Sequence, residues 1–348
     1  MPADYEALAS KYNNFTTPVM KVLINGSDVI ANQKLAVENL SVSLSLNQAG
    51  SVHFNVVNVF ELSSRTFTDA VKQSFQPGSS IKVGLGYGSV TDLLFQGYVS
   101  ELCLDFGEAP QISVTALDVT RLLMDTVHQN LVYEVTSYSA AFQAVMKEFE
   151  GMYDSLEVED TEDSLTKVVQ KGSSFRFIQE ELCVKANREF WVAGGKVYFQ
   201  SPRKETEAVA ALSWGEGLMS FQERRTQCNQ TIRVYGKAEN KKDQIKVEIT
   251  AKTDAASSKL CVVKEYQKYS LIGQDAIQKY AEQIAGRQKA AGEGGSGTCI
   301  GIPELIPGSY IKLGNLDSGA GKEYYIKSVK HNMGSSGYTT QFDVEGCK

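Results

Sequence analysis

The sequence predicts a mainly β protein with α+β character, in which two tube-like antiparallel β-barrel domains flank a small α/β module. Apolar and polar residues alternate with a period of two from about residue 19 to residue 118, and again from about residue 211. Between these regions the apolar spacing is helical. We therefore divide the 348 residues into a first barrel domain (1–125), a middle module (126–205) and a second barrel domain (206–348) with a helical insertion near 273–291.

The first region consists of short alternating segments separated by Asn, Gly, Ser or Pro. Closely spaced strands with such turns are typical of a barrel or a sandwich. A short helix or turn over 117–124 is expected to close this region. The predicted strands are VMKVLING (19–26), LAVENLSVSLSLN (35–47), SVHFNVVNVF (51–60), SIKVGLGYG (80–88), DLLFQGYVSELCLDF (92–106) and QISVTA (111–116).

The glycine-rich segment VGLGYG (83–88) could be taken for a phosphate-binding loop. Such a loop requires a following helix and the Lys-Ser/Thr or final glycine of a nucleotide motif, whereas residues 89–92 lead into another strand. In an extended strand, Gly84, Gly86 and Gly88 share one face. We therefore expect them to allow another backbone to approach closely, within or between the barrels.

The middle module combines predicted helices with a hairpin. The segment SYSAAFQAVMKEF (137–149) has helical spacing and a serine at the N-cap position, and FRFIQEELCVKAN (175–187) is a second helix. FWVAGGKVYFQ predicts two strands that turn at Gly194-Gly195, with Trp191 as a core residue. The acidic run EVEDTED (157–163) is interpreted as a solvated loop rather than a metal site, since it lacks the glycine and terminal glutamate of a calcium loop.

The second strand-rich region contains one predicted helix over 274–290, with an apolar stripe that includes Ile277 and Ile284. The following segment GEGGSGT (292–298) is interpreted as a flexible connection rather than a phosphate loop. The predicted strands of this region are 220–225, 231–235, 244–251, SYIKL, KEYYIKSVKHNM and GYTTQFDVEG.

Composition and charge exclude several classes of function. The chain is 42% hydrophobic with a net charge of −6, and it has no cluster of Lys and Arg, which argues against specific nucleic-acid binding. No secretory signal and no stretch of about 18 apolar residues is visible, so we expect synthesis in the cytoplasm and no membrane insertion.

The cysteines and histidines do not form a recognisable metal-binding or catalytic motif. The three histidines, His53, His128 and His331, have no metal-type partner at short spacing, and we assign them no catalytic role. The six cysteines lack a CxxC pair and are interpreted as free buried thiols: Cys103, Cys183, Cys228, Cys261, Cys299 and Cys347. We assign no catalytic, cofactor-binding or metal-binding residue, and we expect no cofactor.

Three segments occur in a characteristic order along the chain. They are Leu94-Phe95-Gln96-Gly97-Tyr98-Val99 with Pro110 and Val114-Thr115-Ala116-Leu117-Asp118; Gly172-Ser173-Ser174-Phe175 followed by the hairpin to Phe199; and Gly301-Ile302-Pro303-Glu304-Leu305-Ile306-Pro307-Gly308 followed by the closing strands to Phe342. Together they resemble the late control D family of phage baseplate hubs, which includes the hub part of the valine-glycine-repeat spike proteins of type VI secretion. The resemblance spans most of residues 20–345.

The resemblance implies a non-enzymatic structural role in a contractile injection machine, either a phage tail or a tail-derived particle. Hubs of this family are homotrimers in which each subunit supplies two barrels, so that three subunits face a sixfold tail tube on one side and a threefold spike on the other. The implied partners are the tail tube protein, a spike protein, and possible contacts with the tape-measure protein and other baseplate proteins. Because the chain ends soon after its last barrel strands, we expect the spike to be a separate polypeptide.

Two alternatives remain open from the sequence. A tail-tip cell-wall hydrolase requires paired catalytic groups, and Glu180-Glu181 is the only adjacent carboxylate pair of interest. Adjacent residues on a helix diverge by about 100°, so they do not face one substrate. A tail tube component is the second alternative, but a simple tube protein has one barrel and no α/β insertion. We therefore favour the hub.

Overall fold

The computed structural model describes residues 3–46, 48–202, 207–226, 229–240, 242–251, 261–316 and 321–347. The chain forms two compact units. Unit 1 comprises Met1–Ser220, Gly297–Lys322 and Ile326–Phe342. Unit 2 comprises Phe221–Ser296, Glu323–Tyr325 and Asp343–Lys348. No helix of the described residues is long and apolar enough to cross a membrane.

The first strand region contains every strand that the alternating pattern predicted. In β9, for example, Ile112, Val114 and Ala116 are buried and alternate with partly exposed residues. The elements are α1 (Tyr5–Lys11), β1 (Pro18–Ile24), β2 (Ser27–Asp28), β3 (Ala36–Ser45), β4 (Ser51–Val57), β5 (Phe60–Glu61), β6 (Thr66–Phe67), α2 (Asp69–Ser74), β7 (Ser80–Tyr87), β8 (Val90–Asp105), β9 (Gln111–Leu117) and α3 (Val119–Asp125).

The middle of the chain folds around a shared apolar core in which Phe142 stacks on Phe199 with ring centroids 4.5 Å apart. Both predicted helices are present. The second contains a π-helical stretch, Phe177–Cys183, between two short α-helical segments. The elements are β10 (Val127–Tyr133), α4 (Tyr138–Lys147), β11 (Ser155–Val158), β12 (Val168–Ser173), α5 (Ser174–Arg176), α6 (Val184–Ala186), β13 (Glu189–Ala193) and β14 (Lys196–Gln200).

Local signals in this part of the chain are confirmed. The Ser137 hydroxyl accepts a hydrogen bond from the Ala140 N–H at 3.1 Å and caps α4. Gly194 and Gly195 have φ values of 57° and 78°, as a tight turn between β13 and β14 requires. Trp191 is buried and stacks on Tyr198 at 4.8 Å.

The prediction that the acidic run 157–163 is only a solvated loop is wrong. Glu157 and Val158 belong to β11, which pairs in parallel with β14. Asp163 Oδ2 accepts a hydrogen bond from the Tyr138 N–H at 3.1 Å. The first N–H groups of a helix have no partner within the helix, so this carboxylate stabilises the start of α4.

The second strand region contains the predicted strands in order, together with three further strands, two before the helix (208–214 and 262–272) and one after it (293–300). The helix buries the predicted stripe, including Ile277 and Ile284. The elements are β15 (Ala208–Trp214), β16 (Gly217–Arg225), β17 (Gln230–Lys237), β18 (Gln244–Ala251), β19 (Val262–Ile272), α7 (Gln274–Ala291), β20 (Glu293–Ile300), β21 (Tyr310–Gly314), β22 (Lys322–Gly334) and β23 (Gly337–Gly346).

A 13-stranded sheet carries the fold, in the order β2-β1-β7-β8-β9-β4-β3-β22-β21-β15-β16-β20-β23. An additional pairing between β22 and β23 closes the last six strands into a barrel. The two strand regions are joined where β3 pairs antiparallel with β22, from Leu40 opposite Met333 to Ser45 opposite Ser328. The predicted fold class, mainly β with α+β and barrel character, is confirmed.

Unit 2 has a sheet of its own, in the order β18-β17-β19. Helix α7 covers one face, where Ile232 and Val234 of β17 belong to the same apolar core as Ile277. On β17, Arg233 pairs with Glu248 at 2.9 Å and with Glu265 at 3.1 Å. Alternation along β17 therefore separates an apolar face from a charged one.

The prediction that residues 292–298 form a flexible connection is wrong, because Gly292 ends helix α7 and residues 293–298 lie within strand β20. A Cβ atom on Gly294 would lie 2.2 Å from the Val344 carbonyl oxygen, and one on Gly295 would lie 2.4 Å from the Gln222 carbonyl oxygen. These glycines therefore let β20 pack closely against backbone on both sides.

Candidate functional site

An aromatic cluster lies where the two strand regions meet. We name it the junction cluster and define it as Tyr12, Phe15, Tyr87, His331 and Tyr338. The Tyr87 ring lies 5.4 Å from Tyr12, 5.3 Å from Phe15 and 5.6 Å from Tyr338. Aromatic pairs at these distances add to the free energy gained by burying their area. The cluster therefore holds the N-terminal segment, the first strand region and the second strand region together.

Hydrogen bonds fix the polar atoms of this cluster. The Tyr87 hydroxyl donates to the Gly301 carbonyl at 3.0 Å. His331 is fully buried, and its Nε2–H donates to the Leu305 carbonyl at 3.0 Å. Its Nδ1 lies 2.9 Å from the Tyr338 hydroxyl and 3.0 Å from the Thr340 hydroxyl, from which it accepts. Every ring nitrogen is thus satisfied with the imidazole neutral.

The electrostatics of the cluster follow from its burial. Desolvation lowers the pKa of His331 to about 4, because the charged imidazolium cannot be hydrated there. Burial also raises the pKa of Tyr338 well above its ordinary value. The cluster is therefore uncharged at neutral pH, which suits a packing role better than proton transfer.

The N-terminal segment is part of this site, and sequence reasoning missed it. Helix α1 begins after Asp4, whose Oδ1 accepts from the Ala7 N–H at 2.9 Å. Tyr12 is completely buried, and its hydroxyl donates to Asp92 Oδ2 at 3.2 Å. Lys11 pairs with Glu304. Two features of the sequence could have predicted this buried helical segment: an aspartate at an N-cap position, and aromatic residues spaced over 5–15.

The first motif of the family resemblance has a structural explanation. A Cβ on Gly97 would lie 2.1 Å from the Leu117 carbonyl oxygen, so only glycine fits beside β9. Asp118 is buried; its Oδ1 accepts from the Thr120 N–H and its Oδ2 from the Gly50 N–H, both at 2.8 Å. It therefore caps α3 and fastens the turn before β4. Burial raises the pKa of Asp118 to about 7.

The three glycines of VGLGYG do not share one role. A Cβ on Gly86 would lie 1.9 Å from the Val90 carbonyl oxygen, and one on Gly84 would lie 3.2 Å from the Asp92 carbonyl oxygen. The predicted close backbone approach is confirmed for these two residues, within the β7–β8 hairpin. Gly88 instead occupies the turn with a φ of 58° and has open space around it. The segment leads into strand β8, as expected, and not into a helix.

An apolar hairpin end projects from the first strand region. We name residues 101–111, the ends of β8 and β9 with their turn, the arm. Phe106 in the turn is 64% exposed and Leu104 is 36% exposed. The Phe106 ring contacts Phe67 at 5.1 Å and Phe60 at 6.0 Å, both on the β5–β6 hairpin. These contacts fix the position of an exposed aromatic side chain.

A groove of about 580 Å³ lies between strand β12 and the helix that begins with α5. We name it the β12 groove. Its lining includes the apolar residues Tyr138, Leu165, Val168, Val169 and Phe177 and the charged residues Lys167, Lys171, Arg176, Glu180, Glu181 and Lys185. Tyr138, Val168 and Phe177 are almost fully buried, so the surface that faces the groove is mainly polar and charged.

The paired carboxylates considered for hydrolysis are both engaged in ion pairs along the helix. Glu180 accepts from Arg176 Nε at 2.7 Å, and Glu181 pairs with Lys185. Each pair joins residues four positions apart. The carboxylates therefore act on their own helix and do not converge on one point.

The remaining candidate ligands are dispersed. His128 pairs with Glu148 at 3.0 Å, and His53 is exposed. Within the described residues, no group of three or more His, Cys, Asp or Glu side chains could hold a metal ion.

The prediction of buried thiols holds for Cys183 and Cys299. It is wrong for Cys103 and Cys261, which are exposed. Cys103 is exposed because it lies on the projecting arm, while Cys228 lies outside the described residues.

A family model described as the Alg8 N-terminal domain matches residues 14–335. The chain belongs to the Alg8 N-terminal domain family. The match includes the arm, the β12 groove and three of the five residues of the junction cluster, Phe15, Tyr87 and His331. No curated protein sequence matches this member of the family.

Solved structures of tail proteins share the fold of this Alg8 N-terminal domain chain. The 43 kDa tail protein of prophage MuSo2 from Shewanella oneidensis is 14% identical, with a TM-score of 0.69, and the match covers 94% of this chain and 98% of that one. The tail protein from Neisseria meningitidis MC58 is 12% identical, with a TM-score of 0.68 and coverage of 94% and 96%.

A third similar structure is the E. coli c3393 protein, a component of the type VI secretion system with structural similarity to the T4 tail proteins gp27 and gp5. It is 13% identical, with a TM-score of 0.58 and coverage of 94% of this chain and 77% of that one. At these identities the likeness shows a shared fold. The chain therefore has the fold of these tail proteins.

Proposed function

We propose that this chain is a structural component of a contractile injection machine, either a phage tail or a tail-derived particle. Within that machine we propose the role of a baseplate hub of the late control D type. As a homotrimer it joins a sixfold tail tube to a threefold spike. The shared fold with tail proteins over 94% of the chain supports the structural role.

One observation carries the hub role: two strand regions are joined by direct backbone pairing. Strands β3 and β22 hydrogen-bond along six residue pairs, and the junction cluster packs beside them. A flexible linker would let two modules move independently, whereas a shared sheet fixes one to the other. Three subunits, each with two rigidly joined strand modules, present six modules to the tube.

We assign a role in the proposed hub to each of the three segments identified in the sequence. Residues 1–125 and 206–348 supply the two modules that face the tube, and residues 126–205 are a separate module between them. The proposed partners are the tail tube protein and a spike protein, with the tape-measure protein and other baseplate proteins as further contacts. Obligate assemblies of this kind need interfaces of about 2,000 Å² or more.

We propose no enzymatic activity and no cofactor. The carboxylates Glu180 and Glu181 support this proposal because each is held by a cation on its own helix. The hydrolase alternative predicts that the purified protein clears a suspension of bacterial cell walls. No clearing is expected, and clearing that is lost in Glu180→Gln would overturn the proposal.

Native mass spectrometry of the purified chain tests the hub role. A trimer is expected. A hexameric ring would favour a tail tube component, and a monomer at micromolar concentration would contradict the trimeric hub. Electron microscopy of assembled particles with an antibody against this chain supplies the location, which is expected at the tip of the tube.

A further inference from the structure

We propose that the arm of one copy docks into the β12 groove of a second copy. This inference rests on the proposed function only for the number of copies in the ring. It assigns the contact that joins them. Both surfaces belong to unit 1 and occupy different parts of the chain.

The arm has the properties of an inserting element. Its backbone is ordered by β8–β9 pairing down to Asp105 opposite Gln111, yet its side chains are almost all exposed. At its end Phe106 is held against Phe60 and Phe67 and still leaves 64% of its surface in water. A fixed, exposed aromatic side chain loses little conformational entropy on binding, which is typical of residues that dominate interface energetics.

The arm is also acidic. The chain has no Lys, Arg or His between Lys82 and Arg121. The arm itself carries Glu101, Asp105 and Glu108 around its apolar residues. A partner surface must therefore supply positive charge for these carboxylates and room for the Phe106 ring.

The β12 groove supplies both. It encloses about 580 Å³, within the range of about 300–1,000 Å³ that is typical of ligand pockets, and the partly exposed Leu165 and Val169 are among its lining residues. Four cations line it, and two of them, Arg176 and Lys185, are already paired with Glu180 and Glu181.

Lys167 and Lys171 are the groove cations that the arm would engage. Both are exposed, and neither has an ion-pair partner within the described part of the chain. The groove therefore presents unneutralised positive charge beside a cavity that Leu165 and Val169 help to line.

The occupant is a second copy of this chain. In a single copy the arm is exposed and the groove is open, so neither surface is covered by its own chain. A contact between two different surfaces is heterologous, and such contacts close into a ring when the rotation between copies allows it. In a closed ring of three copies, every arm and every groove is used.

Charge reversal tests the contact in the full-length chain. Lys167→Glu with Lys171→Glu is expected to weaken self-association by about tenfold or more in Kd at low salt, because the groove then repels the arm. Asp105→Lys with Glu108→Lys should do the same. Combining all four changes should restore association to near the wild-type Kd. Lys21→Glu with Lys34→Glu, two exposed lysines of the first strand region, is the matched control and should have little effect.

A cross-linking experiment gives a second readout that does not depend on affinity. Cys103 is exposed on the arm, so Lys171→Cys treated with a mild oxidant such as copper phenanthroline should form a disulfide with the native Cys103 of another copy, seen as a ladder on a non-reducing gel. The ladder should be lost in the Cys103→Ser, Lys171→Cys double variant.

The outcomes separate this inference from the proposed function. A wild-type trimer that neither responds to the charge reversals nor forms the cross-link would overturn the arm contact while leaving the hub role intact. A wild-type monomer would contradict both. Association that is weakened by each reversal but not restored by their combination would also count against direct pairing of the arm with the groove.

Discussion

Strands β7 and β20 are both rich in glycine, and both need glycine for the same physical reason. A Cβ on Gly86 of β7 would lie 1.9 Å from the Val90 carbonyl oxygen, and one on Gly294 of β20 would lie 2.2 Å from the Val344 carbonyl oxygen. Contacts this short do not occur between real atoms. In each strand, glycine lets a neighbouring backbone lie where a side chain would otherwise be.

The two strands differ in how visible they are in the sequence. In β7 the glycines alternate with Val83, Leu85 and Tyr87, so the period of a strand can be recognised. In β20 the run EGGSGT has no apolar residue to mark a face. It is a strand because β16 and β23 lie on either side of it in the barrel, and that information is spread over distant parts of the chain. A glycine-rich run therefore indicates close packing as readily as flexibility.

The largest effect is expected from substitutions that disrupt strand β20. Gly294→Val with Gly295→Val should abolish the folded six-stranded barrel, because both side chains would overlap carbonyl oxygens, those of Val344 and Gln222. We expect loss of soluble protein or of the cooperative thermal transition, measured by expression yield and circular dichroism. The control is Ser296→Val, which lies in the same strand and is exposed. A double variant as stable as the control would show that this segment acts as a linker after all.

The second effect applies the same test to β7. Gly86→Val should destabilise the chain by more than about 4 kcal/mol, since no side-chain movement can relieve an overlap with backbone. Gly84→Ala should cost much less, because its Cβ would lie 3.2 Å from the Asp92 carbonyl oxygen and a small shift suffices. Urea unfolding measures both. Equal losses in the two variants would contradict the contact-based explanation.

The comparison of the two strand regions extends to one buried ionisable group in each. In the second region, the pKa of His331 is lowered to about 4 by burial, against 6.5 in an unfolded chain. Between these values the unfolded state binds a proton that the native state excludes, so stability is lost as the pH falls from about 6.5 to 4. The difference corresponds to about 3 kcal/mol.

The variant His331→Gln isolates this contribution because it does not titrate. Its stability deficit relative to wild type should be largest at pH 7 and should shrink toward pH 4, as measured by urea unfolding at several pH values. His53→Gln, at an exposed histidine, is the control for replacing an imidazole by an amide. A deficit that is constant with pH would mean that His331 is charged or hydrated in the native state.

Local signals allowed much of this fold to be predicted, and long-range contacts account for what was missed. The Ser137 cap, the Gly194-Gly195 turn and the stripe of α7 depend on residues within a few positions of each other, and all were recognised. The junction cluster joins Tyr12 to Tyr87 and Tyr338, three residues whose proximity no periodicity encodes. The β12 groove likewise depends on the packing of a strand against a helix.

The smallest expected effect concerns Asp118 in the first strand region, and its pH dependence runs opposite to that of His331. Burial raises the pKa of Asp118 to about 7. Between about pH 4 and 7 the native state therefore binds a proton that the unfolded state has released. The free energy of unfolding decreases as the pH rises through this window. At pH 8, Asp118→Asn should cost about 1–2 kcal/mol, because the amide has one oxygen for the Gly50 and Thr120 N–H groups.

Toward pH 5 the deficit of Asp118→Asn should grow, since only the wild type gains from protonation. The control is Asp4→Asn, an exposed N-cap with a single bond to Ala7, which asparagine can retain. A deficit that shrinks on acidification would show that Asp118 is stabilised as a carboxylate by its two N–H donors. The two buried groups would then respond to pH in the same direction, and the contrast between the two regions would be confined to their glycine strands.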